Sequence, residues 1–112
     1  MYTVPLYTWK TEQPVDGRID YCRMDSSIKW CLDRHITPKG FGYCYMTRGA
    51  TPDWIRTWPF EKILPENVRV VTQTMKRYSG TLPYDEIINE ALHKSNLWRL
   101  SRPQILEIPR AV

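Results

Sequence analysis

The sequence lacks a long hydrophobic run. No stretch of its 112 residues approaches the roughly 18 consecutive apolar residues that cross a bilayer, so no membrane partner is expected. An export signal is also missing, because Lys10, Glu12, Asp16 and Arg18 interrupt the region where a signal peptide needs an unbroken apolar core. We therefore expect a soluble protein that stays inside the cell.

Cysteine is scarce and odd in number. Three cysteines cannot all pair, which disfavours a disulfide framework and favours a reducing, cytoplasmic location. The chain also lacks an internal repeat, a phosphate-binding GxxxxGK[ST] loop and a GxSxG nucleophile motif. Gly40 and Gly42 supply only a GxG, so nucleotide and acyl chemistry have no support and no cofactor is predicted.

The charge is modest and evenly spread. Sixteen Lys and Arg against twelve Asp and Glu give a net charge of +4, and 42% of the residues are hydrophobic. Each half of the chain carries eight basic and six acidic residues, so there is no basic tail. This composition is ordinary for one globular domain, and residues 1–112 are expected to form a single compact unit.

Two segments of the first forty residues have patterns of regular structure. Residues 2–9 are rich in β-branched and aromatic side chains, but Pro5 cannot donate to a sheet ladder, so an edge strand or extended arm is predicted. A helix is predicted from Ser26 or Ser27 to about Ile36. Its buried face comprises five side chains at helical spacing, which are Ile28, Cys31, Leu32, His35 and Ile36.

Three more elements are predicted in the middle of the chain. Aromatic residues alternate over residues 41–47 with the period of a strand. Thr51 and Pro52 are typical of a helix start, but Pro59 leaves room for only one or two turns. Residues 68–75, VRVVTQTM, look like the clearest strand of the protein because β-branched side chains dominate them.

The last third completes the predicted topology. A helix is expected from Pro83 to about Asn96, and residues 105–108 are expected to form a short edge strand. In order, the elements indicate an α+β domain of the ferredoxin-like βαββαβ type, in which two helices cover one face of a four-stranded antiparallel sheet. Pairing of edge strands would also allow a homodimer, which Pro5 and Pro109 would limit.

One cluster of residue types has zinc chemistry. Cys31 and His35 lie one helical turn apart, and Cys22 and Cys44 flank them at equal spacing, so the four could bind zinc. The short C-x2-4-C motif is absent, however, and two of the four fall on the predicted buried face. We therefore interpret the cysteines as small core residues and predict no metal.

Catalytic groupings are also weak. A metal-independent ribonuclease would need acid, base and cationic groups, for which the candidates are His35, His93, Tyr78, Lys76 and Arg77. Cys31 with His35 could act as nucleophile and base, and Asp16, Asp20 and Asp25 could bind divalent ions in a loop. None of these groups has a partner at a defined spacing, so the sequence favours a protein that is not an enzyme.

What stands out is the supply of large aromatic and guanidinium side chains. Five Trp, seven Tyr and ten Arg are the residue types that dominate binding hot spots. The predicted partner-binding residues are those near loops and element ends, namely Trp54, Arg56, Trp58, Arg99 and Arg102. The alternative is that a small domain needs large anchors, so that at least Trp30 and Trp98 are core residues.

The sequence thus predicts a small non-enzymatic binding or regulatory protein whose partner is a protein or a nucleoprotein assembly. The runner-up is binding to RNA or DNA, since Arg beside aromatics can contact phosphates while rings stack on bases. The additional residues proposed for that alternative are Arg48, Lys76, Arg77 and Arg110.

Overall fold

The computed structural model describes residues 2–3, 8–91 and 97–112. Within these residues the regular structure is mainly helical. The helices are α1 (Trp9–Glu12), α2 (Cys22–Leu32), α3 (Phe60–Arg77) and α4 (Arg102–Ala111), with one 3-10 turn at Asp53–Ile55. In the described part of the chain the paired strands are β1 (Tyr2–Thr3) and β2 (Pro38–Lys39), which lie parallel. The predicted ferredoxin-like α+β fold with a four-stranded antiparallel sheet is therefore wrong.

The long helix α3 replaces the strand predicted at residues 68–75. Its buried side chains recur at helical spacing along its whole length and are Ile63, Asn67, Val70, Val71 and Thr74. This burial outweighs the β-propensity of its Val and Thr residues. Pro65 lies inside α3 but is exposed. Lys76 and Arg77 in the last turn complement the helix dipole.

Helix α2 begins four residues before the predicted start. The Asp20 carboxylate accepts a hydrogen bond from the Cys22 backbone at 2.9 Å, which satisfies one of the free N–H groups of the first turn. The buried residues of α2 are Met24, Ile28 and Cys31. Leu32 and His35 were predicted to be buried but are exposed. Since α2 ends at Leu32, His35 lies beyond the helix.

The end of α2 is a Schellman motif. Ile36 N–H donates to the Cys31 carbonyl at 2.9 Å, and His35 N–H donates to the Leu32 carbonyl at 3.1 Å. These two bonds define the motif. The residue just before its final N–H donor adopts a backbone conformation in the left-handed region. That residue is His35, with φ of 55°. The motif ends α2 abruptly. Trp30 and Leu32 lie in its last turn, and Arg34 lies two residues beyond its end.

Residues 40–44 and 84–88 form an irregular parallel pairing. Gly40 N–H donates to the Tyr84 carbonyl at 2.9 Å, and Cys44 N–H donates to the Ile87 carbonyl at 2.8 Å. The pairing consists of two isolated bridges, and Gly42 has a φ of 70°, so the strand predicted at residues 41–47 is wrong. The helix predicted after Pro83 is wrong for residues 84–91, and its remainder, including His93, lies outside the described residues.

The chain termini also differ from the predictions. Of the segment predicted as an edge strand at residues 2–9, Tyr2–Thr3 is a strand, while α1 begins at Trp9 behind a capping box of Thr8 and Thr11. Residues 4–7 lie outside the described ranges. The strand predicted at residues 105–108 is wrong, because Ser101 and Gln104 form a second capping box that starts α4.

Helix α3 lies between two hydrophobic clusters. The first contains Met24, Ile28, Tyr43, Val71, Tyr78 and Leu82. The second contains Trp9, Cys44, Met46, Ile55, Ile63, Val70 and Ile108. Adjacent residues of α3, Val70 and Val71, thus serve opposite halves of the core. Among the described residues, no helix is both long enough and apolar enough to span a bilayer.

Candidate binding surface

The most exposed tryptophan lies at the end of α2. The face of α2 that carries Met24, Ile28 and Cys31 packs into the core, which directs Trp30 outward. Trp30 is 45% exposed. The guanidinium carbon of Arg34 lies 4.5 Å from the centre of its ring, and Arg34 Nη1 donates to the Trp30 carbonyl at 3.3 Å. The arginine therefore stacks on the indole, an arrangement typical of a cation–π contact.

Leu32 is a second exposed apolar residue at the end of α2. Its side chain is 50% exposed, one of the larger values among the apolar residues. We call Trp30, Leu32 and Arg34 the α2 surface. The nearby Lys29 and Asp33 neutralise each other at 2.8 Å, whereas Arg34 has no ion pair among the described residues. The α2 surface is thus apolar with one uncompensated positive charge.

Trp54 and Trp58, both predicted to bind a partner, contact each other. Their ring centres are 5.3 Å apart at an interplanar angle of 76°, an edge-to-face geometry that stabilises aromatic pairs. Both rings are partly buried against the second hydrophobic cluster. Trp54 also donates its indole N–H to the Gln13 carbonyl at 3.1 Å. These two tryptophans therefore carry much of the packing between the 3-10 turn and α1.

Arg56, predicted beside them, is used internally. Its Nη2 donates to the carbonyls of Arg48 at 2.5 Å and Thr51 at 3.3 Å, and its Nη1 pairs with Asp53 at 2.5 Å. Its Nε is buried and has no hydrogen-bond partner within the described part of the chain. Arg56 thus stabilises the loop before the 3-10 turn, because a guanidinium group offers several donors in a fixed plane.

The arginines of the C-terminal region are the most available of the predicted set. Arg99, Arg102 and Arg110 are exposed, and none forms an ion pair within the described part of the chain. Arg102 and Arg110 are eight residues apart on α4, so they share a face of the helix with Leu106 between them. Leu106 is 51% exposed.

The residues proposed for nucleic acid lie on separate elements. Arg48 is in the loop before the 3-10 turn, Lys76 and Arg77 are in the last turn of α3, and Arg110 is in α4. Arg48, Lys76 and Arg110 are exposed, but Arg77 is engaged. Its Nη2 pairs with Asp25 at 2.7 Å, and its guanidinium lies 4.8 Å from the Tyr21 ring centre.

The residues predicted for a ribonuclease site are not joined into one site in the described part of the chain. Tyr78 is buried and donates to Asp25 Oδ1 at 2.6 Å. Burial, followed by this hydrogen bond, raises the pKa of Tyr78 well above its usual value. No hydrogen bond or ion pair in the described residues joins Lys76, Arg77 or Tyr78 to His35. His93 is outside the described residues.

The proposed zinc ligands are not brought together. Cys22 is exposed, whereas Cys31 and Cys44 are buried, and Cys44 belongs to the second cluster. Burial raises the pKa of Cys44 to about 12, which disfavours the thiolate that binds metal. Across residues 2–3, 8–91 and 97–112, no group of three His, Cys, Asp or Glu side chains could hold a metal ion. This includes Asp16, Asp20 and Asp25.

A buried polar group beside α1 has no counterpart in the sequence-based predictions. Gln13 is fully buried, accepts a hydrogen bond from the Trp9 indole at 2.7 Å and donates to Glu66 Oε1 at 2.9 Å. Glu12 is also buried, and no described residue forms a hydrogen bond with its Oε2. The only sequence signal was the Thr-x-x-Thr pattern at residues 8–11, which can cap a helix; the strand assigned to residues 2–9 concealed it.

Sequence reasoning also missed the α2 surface. It placed Leu32 on the buried face of a helix that it extended to Ile36, and it named Trp30 as a core residue only in the alternative interpretation. Comparison with known proteins adds no assignment, since no protein-family model matches the chain and no curated protein is significantly similar to it.

Proposed function

We propose that this chain is a non-enzymatic binding protein that engages a protein partner through the α2 surface. The observation that carries the proposal is the exposed Trp30 ring with the Arg34 guanidinium stacked on it. Trp and Arg are the residues most enriched in binding hot spots. Covering a half-exposed indole with a partner favours binding, because the apolar area of the ring is removed from water.

Leu32 favours a protein over a nucleic acid as the partner of this surface. A half-exposed leucine two residues beyond Trp30 offers apolar area that suits an apolar side chain, whereas phosphates and sugars gain little from it. The charge of Arg34, which no described carboxylate neutralises, favours an acidic residue at the edge of the partner's contact region. We therefore propose a partner with an apolar anchor flanked by Asp or Glu.

Two of the residues first predicted for this role are better explained as support. Trp54 and Arg56 make internal hydrogen bonds, so removing either would disturb the fold before it affected a partner. We also propose a cytoplasmic location, supported by three cysteines that are all free thiols.

Site-specific photo-crosslinking tests the proposal. A benzophenone amino acid is placed at Trp30 or Leu32, and at Tyr84 as the control, because Tyr84 is equally exposed at 56% but lies elsewhere in the chain. We expect a protein adduct from cells of the source organism at positions 30 and 32 and none at position 84.

The partner identified in the adduct is then purified, and its binding to the unmodified chain is measured. We expect Trp30→Ala to weaken that binding at least tenfold, about 1.4 kcal/mol, and Arg34→Ala to weaken it measurably, while Tyr84→Ala leaves it unchanged. Equal crosslinking at all three positions, or an unchanged affinity in Trp30→Ala, would overturn the proposal. An adduct with a second copy of this chain would identify a homodimer instead.

A second candidate function is nucleic-acid binding through α4 and the residues just before it. It is favoured by Arg99, Arg102 and Arg110, which are exposed and form no ion pair among the described residues. Contacts to phosphates release counterions, so the affinity for a single-stranded oligonucleotide should fall steeply with added salt. We expect Arg102→Ala with Arg110→Ala to reduce both the affinity and the salt slope. A flat salt response would rule this function out.

A further inference from the structure

Glu12 is an ionisable side chain in the interior of the protein. It is only 1% exposed, and it is the last residue of α1. Its backbone carbonyl accepts a hydrogen bond from Asp20 N–H at 2.6 Å, which attaches α1 to the segment that leads into α2. Its carboxyl Oε2 has no hydrogen-bond partner among the described residues. Burying an ionised carboxylate without full compensation is costly, whereas the neutral acid is tolerated.

The charged groups around Glu12 reinforce this preference. Asp20 and Asp25, at the start of α2, both repel a negative charge on Glu12, and Arg23 is the cation that attracts it. On the side of α3, Gln13 lies next to Glu66, whose carboxylate already pairs with Arg69. Arg77 is likewise committed to Asp25. The cations near this joint are therefore mostly neutralised by other carboxylates.

We infer that Glu12 is a proton-dependent latch between α1 and the start of α2, which is closed when its carboxyl group is protonated and loosened when the group ionises. Burial, aided by the negative charge of Asp20, raises the pKa of Glu12 from 4.5 to about 7. In an opened joint the carboxyl would return to its ordinary value. The opening equilibrium should therefore rise as the pH increases from about 4.5 to about 7 and level off above that.

The latch would move one connected piece of the chain. Residues 13–20 form a tight turn in which Val15 and Arg18 pair as an antiparallel bridge, and the Glu12–Asp20 hydrogen bond closes this turn at its base. When the latch loosens, this bond and the first turn of α2 should exchange with solvent together. The inference is independent of the partner proposed for the α2 surface.

Amide hydrogen exchange of the full chain tests the latch. The protection factor of the Asp20 amide, corrected for the intrinsic effect of pH, should fall at least tenfold between pH 5 and pH 7.5, since tenfold corresponds to one unit of the pKa difference. Glu12→Gln should abolish this fall, because glutamine stays neutral. Glu61→Gln, at an exposed site in α3, should retain it.

A measurement on the unmodified chain keeps the inference testable even if Glu12→Gln fails to fold. Carbon-13 NMR of the Glu12 carboxyl group should show a titration midpoint near neutral pH. A midpoint in the ordinary range of glutamate, or an Asp20 protection factor that does not change with pH, would overturn the latch.

Discussion

Tyr78 donates its phenolic hydrogen to Asp25 Oδ1 over 2.6 Å, which joins the end of α3 to the first turn of α2. Arg77 pairs with the same carboxylate at 2.7 Å. The hydrogen bond from Arg77 is the main reason why the pKa of Asp25 lies below its usual value. Tyr21 and Tyr78 meet edge to face with ring centres 5.9 Å apart, so this junction combines charge, hydrogen bonding and ring packing.

We predict that Asp25→Ala lowers the free energy of unfolding by about 1–3 kcal/mol, because it leaves the buried Tyr78 hydroxyl without its acceptor. Urea denaturation at pH 7 measures the change. Asp33→Ala is the matched control, since Asp33 forms only an exposed ion pair with Lys29 and should cost no more than about 0.5 kcal/mol. Equal losses in the two variants would contradict the role given to the junction.

Glu12 should give the protein an unusual dependence of stability on pH. Because the pKa of Glu12 is raised to about 7 in the folded state, its contribution to stability is complete below about pH 4.5 and is lost as the pH rises to 7. The loss amounts to at most about 3 kcal/mol. Urea denaturation at several pH values should show this decline in the unmodified chain and not in Glu12→Gln. Parallel curves for the two proteins would refute it.

A side chain at Gly40 should destabilise the protein. A Cβ atom there would overlap Asp85 Oδ1 and the Tyr43 hydroxyl oxygen, which are hydrogen-bonded to each other at 2.5 Å. We predict that Gly40→Ala lowers the free energy of unfolding by about 1–3 kcal/mol and the melting temperature by several degrees. Gly49→Ala is the control, because nothing lies within 4 Å of a Cβ at position 49. A melting temperature equal to that of Gly49→Ala would show that the pairing can shift to make room.

His35→Gly should stabilise the protein. His35 has a φ of 55° at the end of α2, in the left-handed region that is unfavourable for residues with a Cβ atom. We predict a gain of about 0.5–1 kcal/mol, partly offset by the greater freedom of glycine in the unfolded chain. A higher urea midpoint with an unchanged m-value would confirm it. A loss of stability would mean that the imidazole makes a contact worth more than the strain.

The helices show where the sequence was informative. The spacing of Ile28 and Cys31 correctly predicted a helix in this region, and Thr51 with Pro52 correctly predicted a short turn, now seen at Asp53–Ile55. The error in α3 arose because its β-branched residues were considered only over residues 68–75. Over its full length, the spacing of Ile63, Val70 and Thr74 is helical.

The candidate site was less predictable. Whether Trp30 is exposed depends on which face of α2 packs against Tyr43 and Val71, and this is a tertiary property. The prediction placed the end of α2 four residues too late, and it assigned both Leu32 and His35 to the buried face of that longer helix. The burial of Glu12 likewise depends on a hydrogen bond to Asp20 that no local pattern specifies.

The parallel pairing of residues 40–44 with residues 84–88 also governs how the chain acquires its structure. Tyr43 and Asp85, which seal this pairing, are 42 residues apart, and α3 lies entirely within the loop that they close. Closing such a loop costs entropy before any contact compensates for it, so we expect this step to occur late in folding and to slow the overall rate. During synthesis, the chain must in any case be extended beyond Ile88 before Cys44 can pair with that residue.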